Sequence, residues 1–177
     1  MYDVHAFVTP NQQMDAPSDH TFLFADLVGF TSFTEQVGDD AAADLAVAFQ
    51  IKAERMAGDY GCAVIKKLGD AVMIHGEDAT RVVALALRLR REFGADDGCP
   101  PLRMGVHSGS AVERYGDWYG ATVNVAARVA DAAGANEILL SLTTRERIAR
   151  AGVTFADRGA RSFKNVTAPL AVFAAAA

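Results

Sequence analysis

The apolar run "TFLFADLV" over residues 21–28 reads as a buried strand, and Gly29 breaks it. The following "FTSFTEQV" has the pattern of a short helix. In the next segment Leu45, Phe49 and Met56 share one helical face, Asp39 or Asp40 can cap it, and Gly58 and Gly61 close it. "CAVIKKL" and "AVMIHG" are strand-like, and Gly69-Asp70 between them predicts a hairpin turn. Over residues 80–93, Val82, Leu85, Leu89 and Phe93 return with helical period, while Arg81, Arg88 and Arg91 fall on the opposite, solvated side. A strand pair, "LRMGVHSG" and "SAVERYG", comes next, then a helix from a Thr122 cap to about Ala133, ended by Gly134. "EILLS", a helix over "TTRERIARA" and strands around "VTF" and "PLAVFA" close the chain. The alternation βαββαβ, extended by a C-terminal helix and strands, predicts the α+β class with a ferredoxin-like core. Residues 1–20, with Pro10 and Pro17 in a polar cluster, are expected to be a loose lead-in, 21–174 one domain and 175–177 a tail.

Composition narrows the class. The 177 residues suffice for one domain with a sizeable core, and 51% apolar against 22% charged is an ordinary globular balance. A formal net charge of −5 argues against a nucleic-acid partner but leaves room for a local basic site for phosphates. Two cysteines, Cys62 and Cys99, make no disulfide framework, and Cys62 inside "CAVI" reads as a small core residue. No apolar run has the length of a membrane span, and the first residues lack the basic start and apolar segment of a secretory leader. The expectation is a cytoplasmic protein with no membrane partner.

Within the first apolar run stands one carboxylate, Asp26. An ionised carboxylate in low dielectric is costly unless it is paired, hydrogen-bonded or bound to a metal. A second, Asp70, sits in the hairpin turn that a βαββαβ sheet places beside the first strand, so the two can converge. Alone, Asp26 reads as a strand-end cap of the next helix and Asp70 as a turn residue. Together they repel unless a cation separates them. Oxygen donors with no His or Cys nearby suit magnesium or manganese, held partly through substrate phosphates.

Three segments in order, "FADLVGFT", "IKKLGDAVM" and "GDWYGATVNVAARV", resemble the class III nucleotide cyclase catalytic domain over roughly residues 20–174. The short link before Asp117 resembles the bacterial branch with a reduced dimerisation arm. The resemblance implies a palm-type core, two metal ions per site (Mg2+ or Mn2+), and conversion of a nucleoside triphosphate to its cyclic monophosphate and pyrophosphate. It also implies that Asp26, Asp70 and the Leu27 carbonyl hold the metals. One ion would lower the pKa of the ribose 3′-hydroxyl and the other would neutralise the triphosphate. The backbone N–H groups of Phe30 and Thr31, at a helix start, can cradle the terminal phosphates.

Lys66 and Asp117 match the family's purine-selecting positions. A lysine only donates and an aspartate only accepts, which complements adenine's N1 acceptor and N6 donor; guanine would favour a glutamate at position 66. Lys67 lies next door, and strand alternation sends it to the other face. Asn124 and Arg128, four apart on one helix, project from the same face. By the resemblance, Arg128 meets the charge on a five-coordinate phosphorus and Asn124 holds the ribose. The small residues beside them (Ala126, Ala127, Ala130) suggest close packing on a neighbouring surface. Lys164, in "SFKNVTAPLAVF", resembles the family's lysine for the β- and γ-phosphates. His75 and His107 read as structural, and Arg114 stays unassigned.

The expected function is an adenylate cyclase acting on ATP as a homodimer with two shared sites. One protomer would give the metal carboxylates and the other the base-reading and transition-state residues. A guanylate cyclase is the alternative, disfavoured by Lys66. A catalytically silent nucleotide-binding module is a third, disfavoured by the presence of Asp26, Asp70 and Arg128.

Overall fold

The computed structural model describes residues 19–94, 98–149 and 152–177. In chain order these form β1 (Asp19–Leu27), α1 (Phe30–Val37), α2 (Asp39–Asp59), β2 (Ala63–Leu68), β3 (Ala71–Gly76), α3 (Ala79–Gly94) and β4 (Leu102–Ser110). There follow β5 (Val112–Arg114), β6 (Asp117–Tyr119), α4 (Ala121–Asp131), β7 (Ile138–Ser141), α5 (Leu142–Arg147), β8 (Thr154–Arg161) and β9 (Leu170–Ala176). A seven-stranded sheet runs β2-β3-β1-β4-β7-β9-β8. Its first four strands pair antiparallel in the order expected of a ferredoxin-like βαββαβ unit. β7 joins parallel to β4 through the α4 crossover, and β9 and β8 extend the sheet antiparallel.

β1 is apolar on both faces because both are covered. Leu23, Ala25 and Leu27 turn to one side, where they meet Phe49 and Met56 of α2 and Val82, Leu85, Leu89 and Phe93 of α3. Phe22 turns to the other side, towards Met73 and Ala126 of α4. α4 lies so close to β4 that a side chain at Gly105 would put its Cβ 2.0 Å from the Ala130 nitrogen. The small residues of α4 therefore pack on the chain's own sheet, with Ala126 and Ala130 buried.

Four local expectations change. "SAVERYG" does not pair with β4; β5 pairs with β6 in a separate two-stranded sheet, because both edges of β4 are already occupied by β1 and β7. Thr122 does not cap α4. Gly120 is the N-cap, and the Thr122 hydroxyl donates to the Ser110 carbonyl at 2.6 Å. Asp39 and Asp40 lie in the first turn of α2 behind Gly38, where acidic groups favour the helix dipole without a capping bond. The ordered strands also reach past the expected limits of 21 and 174. Asp19 and His20 pair with Ser110 and Gly109, while Ala175 and Ala176 pair with β8. The rest of the expected lead-in, 1–18, lies outside the described residues, as do Arg150 and Ala151 of "TTRERIARA". Cys62 is half-buried and free, and burial pushes its thiol up. Among the described residues no helix is long and apolar enough to cross a membrane.

Candidate active site

β1 delivers Asp26 next to the β2–β3 turn, where Gly69 takes a left-handed conformation (φ 66). Asp26 stands opposite Ala71 in the ladder, and the Leu27 N–H donates to the Asp70 carbonyl at 3.2 Å. The two carboxyls therefore converge, as the sequence implied. Burial pushes the Asp26 carboxyl up, the Arg103 guanidinium draws it down, and the neighbouring Asp70 raises it again. Arg103 was not singled out in the sequence, yet it faces Asp26 directly across β4. Its Nε and Nη2 donate to Asp26 Oδ2 at 2.6 and 2.5 Å. Only the β1–β4 register reveals this pairing; "LRMGVHSG" gives no sign of it.

The pairing tests whether a cation fits here, since a guanidinium already occupies the carboxylate. Among the described residues no three His, Cys, Asp or Glu side chains gather into a metal cluster. Two carboxylates and a backbone carbonyl are a partial, all-oxygen donor set that suits a hard ion completing its shell with water and phosphate oxygens. The residues fit such an ion. Close by, Gly29 in the left-handed region (φ 73, ψ 23) turns the chain from β1 into α1. The earliest bond there runs from Phe33 N to Gly29 O. The Phe30 and Thr31 N–H groups thus begin the helix with no intrahelical acceptor.

Lys66 Nζ lies 2.8 Å from Asp117 Oδ2, and Lys67 Nζ lies 2.8 Å from Glu54 on α2. Simple alternation from Val64 would give the opposite result. Val64 opposes Ile74 and Lys66 opposes Met73, so Ile65 is an extra residue, a β-bulge. The bulge resets the parity, sending Lys66 to the α4 side and Lys67 to the α2 side. The Lys66 ammonium draws the Asp117 carboxyl below its ordinary range, helped by the Trp118 N–H at 2.7 Å.

Asn124 and Arg128 lie on the exposed stripe of α4, with Arg128 Nη1 donating to Asp131 at 3.0 Å. Lys164 is exposed on the turn between β8 and β9. Its neighbours Phe163 and Val166 pack on the cluster containing Val125 and Val129, which holds that turn beside α4. Among the described residues no hydrogen bond or ion pair joins Asp26 or Asp70 to Asn124, Arg128 or Lys164. His107 bonds Ser141 at 2.7 Å and His75 bonds His20 at 3.0 Å.

A family model for the adenylate and guanylate cyclase catalytic domain matches residues 12–173. The chain belongs to this family. An adenylate cyclase of Streptomyces griseus is 33% identical over 129 residues, 73% of this chain and 32% of the relative. A pH-sensitive adenylate cyclase of Mycobacterium tuberculosis is 35% identical over 163 residues, 86% of this chain and 39% of the relative. The cyclase domain thus spans about a third of the length of the curated relatives it matches. The crystal structure of the adenylyl cyclase CyaB from P. aeruginosa superposes with a TM-score of 0.76 at 25% identity, covering 90% of this chain and 94% of that one. A Trypanosoma brucei adenylate cyclase shares the fold, with a TM-score of 0.82 at 19% identity over 89% of this chain and 88% of that one. Cyclase domains of this family generally use divalent metal ions, bind nucleotide and often act as dimers.

Proposed function

We propose that this cyclase domain converts ATP to 3′,5′-cyclic AMP and pyrophosphate, at a site assembled from two copies of the chain. The observation that carries the choice of ATP is the Lys66–Asp117 pair at 2.8 Å, one donor beside one acceptor. That pair is complementary to adenine's N1 and N6 and mismatched to guanine's edge. The curated relatives named adenylate cyclases support the same reading.

Asp26, Asp70 and the Leu27 carbonyl would hold two Mg2+ or Mn2+ ions, which supply Lewis acidity at the 3′-oxygen and countercharge for the triphosphate. Arg103 balances Asp26 in the free chain. The Phe30 and Thr31 N–H groups and Lys164 bind the terminal phosphates. Asn124 aligns the ribose so that O3′ bonds to the α-phosphorus as the bond to pyrophosphate breaks, and Arg128 offsets the charge that builds on phosphorus. Support for a shared site comes from the two separate groups within one chain, the carboxylates at the end of β1 and the α4 residues with Lys164. A twofold pairing brings one group of each copy to the other, giving two equivalent sites.

The test is purified protein incubated with ATP or GTP and each metal in turn, with cyclic product read by chromatography. Cyclic AMP as the main product is expected. Cyclic GMP as the main product, or no cyclic product with either metal, overturns the reading.

A further inference from the structure

The hairpin that carries Asp117 stands apart from the main sheet. β5 and β6 form their own two-stranded sheet, all three β5 residues are exposed, and Tyr115 at the tip is fully exposed. Such a hairpin is marginal by itself and depends on anchors. Trp118 is its inward-facing aromatic. The indole stacks on the His75 ring at 4.3 Å, tilts over the His20 ring at 4.2 Å and meets Phe22 edge-on at 5.6 Å. The floor beneath it comes from three elements, with Phe22 of β1, Met73 of β3 and Ala126 of α4 all buried. His20 Nδ1 and His75 Nε2 lie 3.0 Å apart and share a hydrogen bond, which fixes both rings under the indole. No step of the proposed reaction uses any of these side chains.

Trp118 follows Asp117 directly, and its N–H donates to the Asp117 carboxylate at 2.7 Å. The ring packs into the floor, while the adjoining carboxylate pairs with Lys66 at 2.8 Å. We propose that Trp118 is a specificity-positioning residue: its seat on His20, His75 and Phe22 fixes Asp117 opposite Lys66 and so sets the preference for adenine over guanine. The inference rests on the reading of Lys66 and Asp117 as the base-reading pair.

The test compares Trp118→Ala, Trp118→Phe, Asp117→Ala and the double variant with the wild type. Rates are measured with ATP and GTP, and equilibrium binding with 3′-deoxy-ATP and 3′-deoxy-GTP, which cannot cyclise. Trp118→Ala should lower the ATP-to-GTP ratio of kcat/KM by about tenfold, mainly through KM for ATP. Trp118→Phe, which keeps an aromatic ring on the floor, should retain the ratio within about threefold. In the Asp117→Ala background, removing the indole should change the ratio no further, because the ring acts through that carboxylate. Trp118 is the chain's one tryptophan, so its emission reports the seat directly. It should stay as in the wild type when Asp117 is removed. Trp118→Leu carries the same comparison should the alanine variant not fold.

An equal fall for both nucleotides, or an unchanged ratio in Trp118→Ala while Asp117→Ala lowers it, overturns the inference. Emission of an exposed indole in Asp117→Ala also overturns it, since the carboxylate would then be holding the ring. An unchanged ratio in Asp117→Ala itself overturns the base-reading pair on which the inference stands.

Discussion

Replacing Gly105 by alanine tests whether the position of α4 on the sheet sets catalysis. The added Cβ would lie 2.0 Å from Ala130 N, 2.4 Å from Ala130 Cα and 2.6 Å from the Val129 carbonyl carbon. These are backbone atoms in the middle of a helix, so no rotamer change relieves the overlap. Ordinary contact begins near 3.4 Å, and α4 must therefore withdraw by about 1.4 Å. Withdrawal loosens Ala126, Val129 and Ala130 from the floor they pack on. Overpacking of this kind costs about 3 kcal/mol, which in a chain of this size lowers Tm by roughly 6–12 °C. Asn124 and Arg128 ride on the same helix, and in the roles proposed for them a displacement near 1 Å costs about 100-fold in kcat. The measurements are thermal unfolding by circular dichroism and initial rates at saturating ATP. Gly58→Ala is the control. It sits inside α2 with nothing within 4 Å of the added carbon, and should gain about 0.5–1 kcal/mol with kcat unchanged. If Gly105→Ala melts within about 2 °C of the wild type and keeps kcat within about twofold, the close approach does not set the helix position.

Three further outcomes follow from named contacts. Lys66→Glu should lower the ATP-to-GTP ratio of kcat/KM by about tenfold or more, while Lys67→Glu, whose native partner is Glu54 on α2, should leave it unmoved; the reverse result would assign the wrong lysine. Asp70→Ala and Arg128→Ala should each be inactive alone, and mixing them should restore about a quarter of wild-type activity at an equal ratio; heterodimers confirmed by mass but inactive would mean that each chain builds its own site. His75 and His107 are each lowered from 6.5 to about 4, chiefly by burial, with His20 adding to the shift at His75 against Glu77 and Arg147 adding to it at His107. Because the fold favours their neutral forms, their contribution to stability is present above about pH 6.5 and lost as pH falls towards 4. Tm measured over that range should drop, and drop less in His107→Gln; equal slopes would remove His107 from the account.

The sequence alone determined most of the elements and the family. The 3.6-residue period placed α3, since burial of one face leaves its spacing in the chain, and short apolar runs bounded by glycines placed β1 and the β2–β3 hairpin. One carboxylate in an apolar strand and another in a turn foretold a meeting, because the βαββαβ order puts those elements side by side. What tertiary structure decided depends on which strand lies beside which. Arg103 meets Asp26 through ladder register between residues 77 apart, which no local pattern encodes. β5 left the main sheet because both edges of β4 were taken, a matter of sheet order rather than of strand propensity. The bulge at Ile65 settled which lysine faces Asp117, since one unpaired residue reverses the alternation while leaving the composition of the strand ordinary. The indole seat under Asp117 was invisible for the same reason: His20, His75 and Trp118 are far apart along the chain and adjacent only once β1, β3 and the hairpin stack.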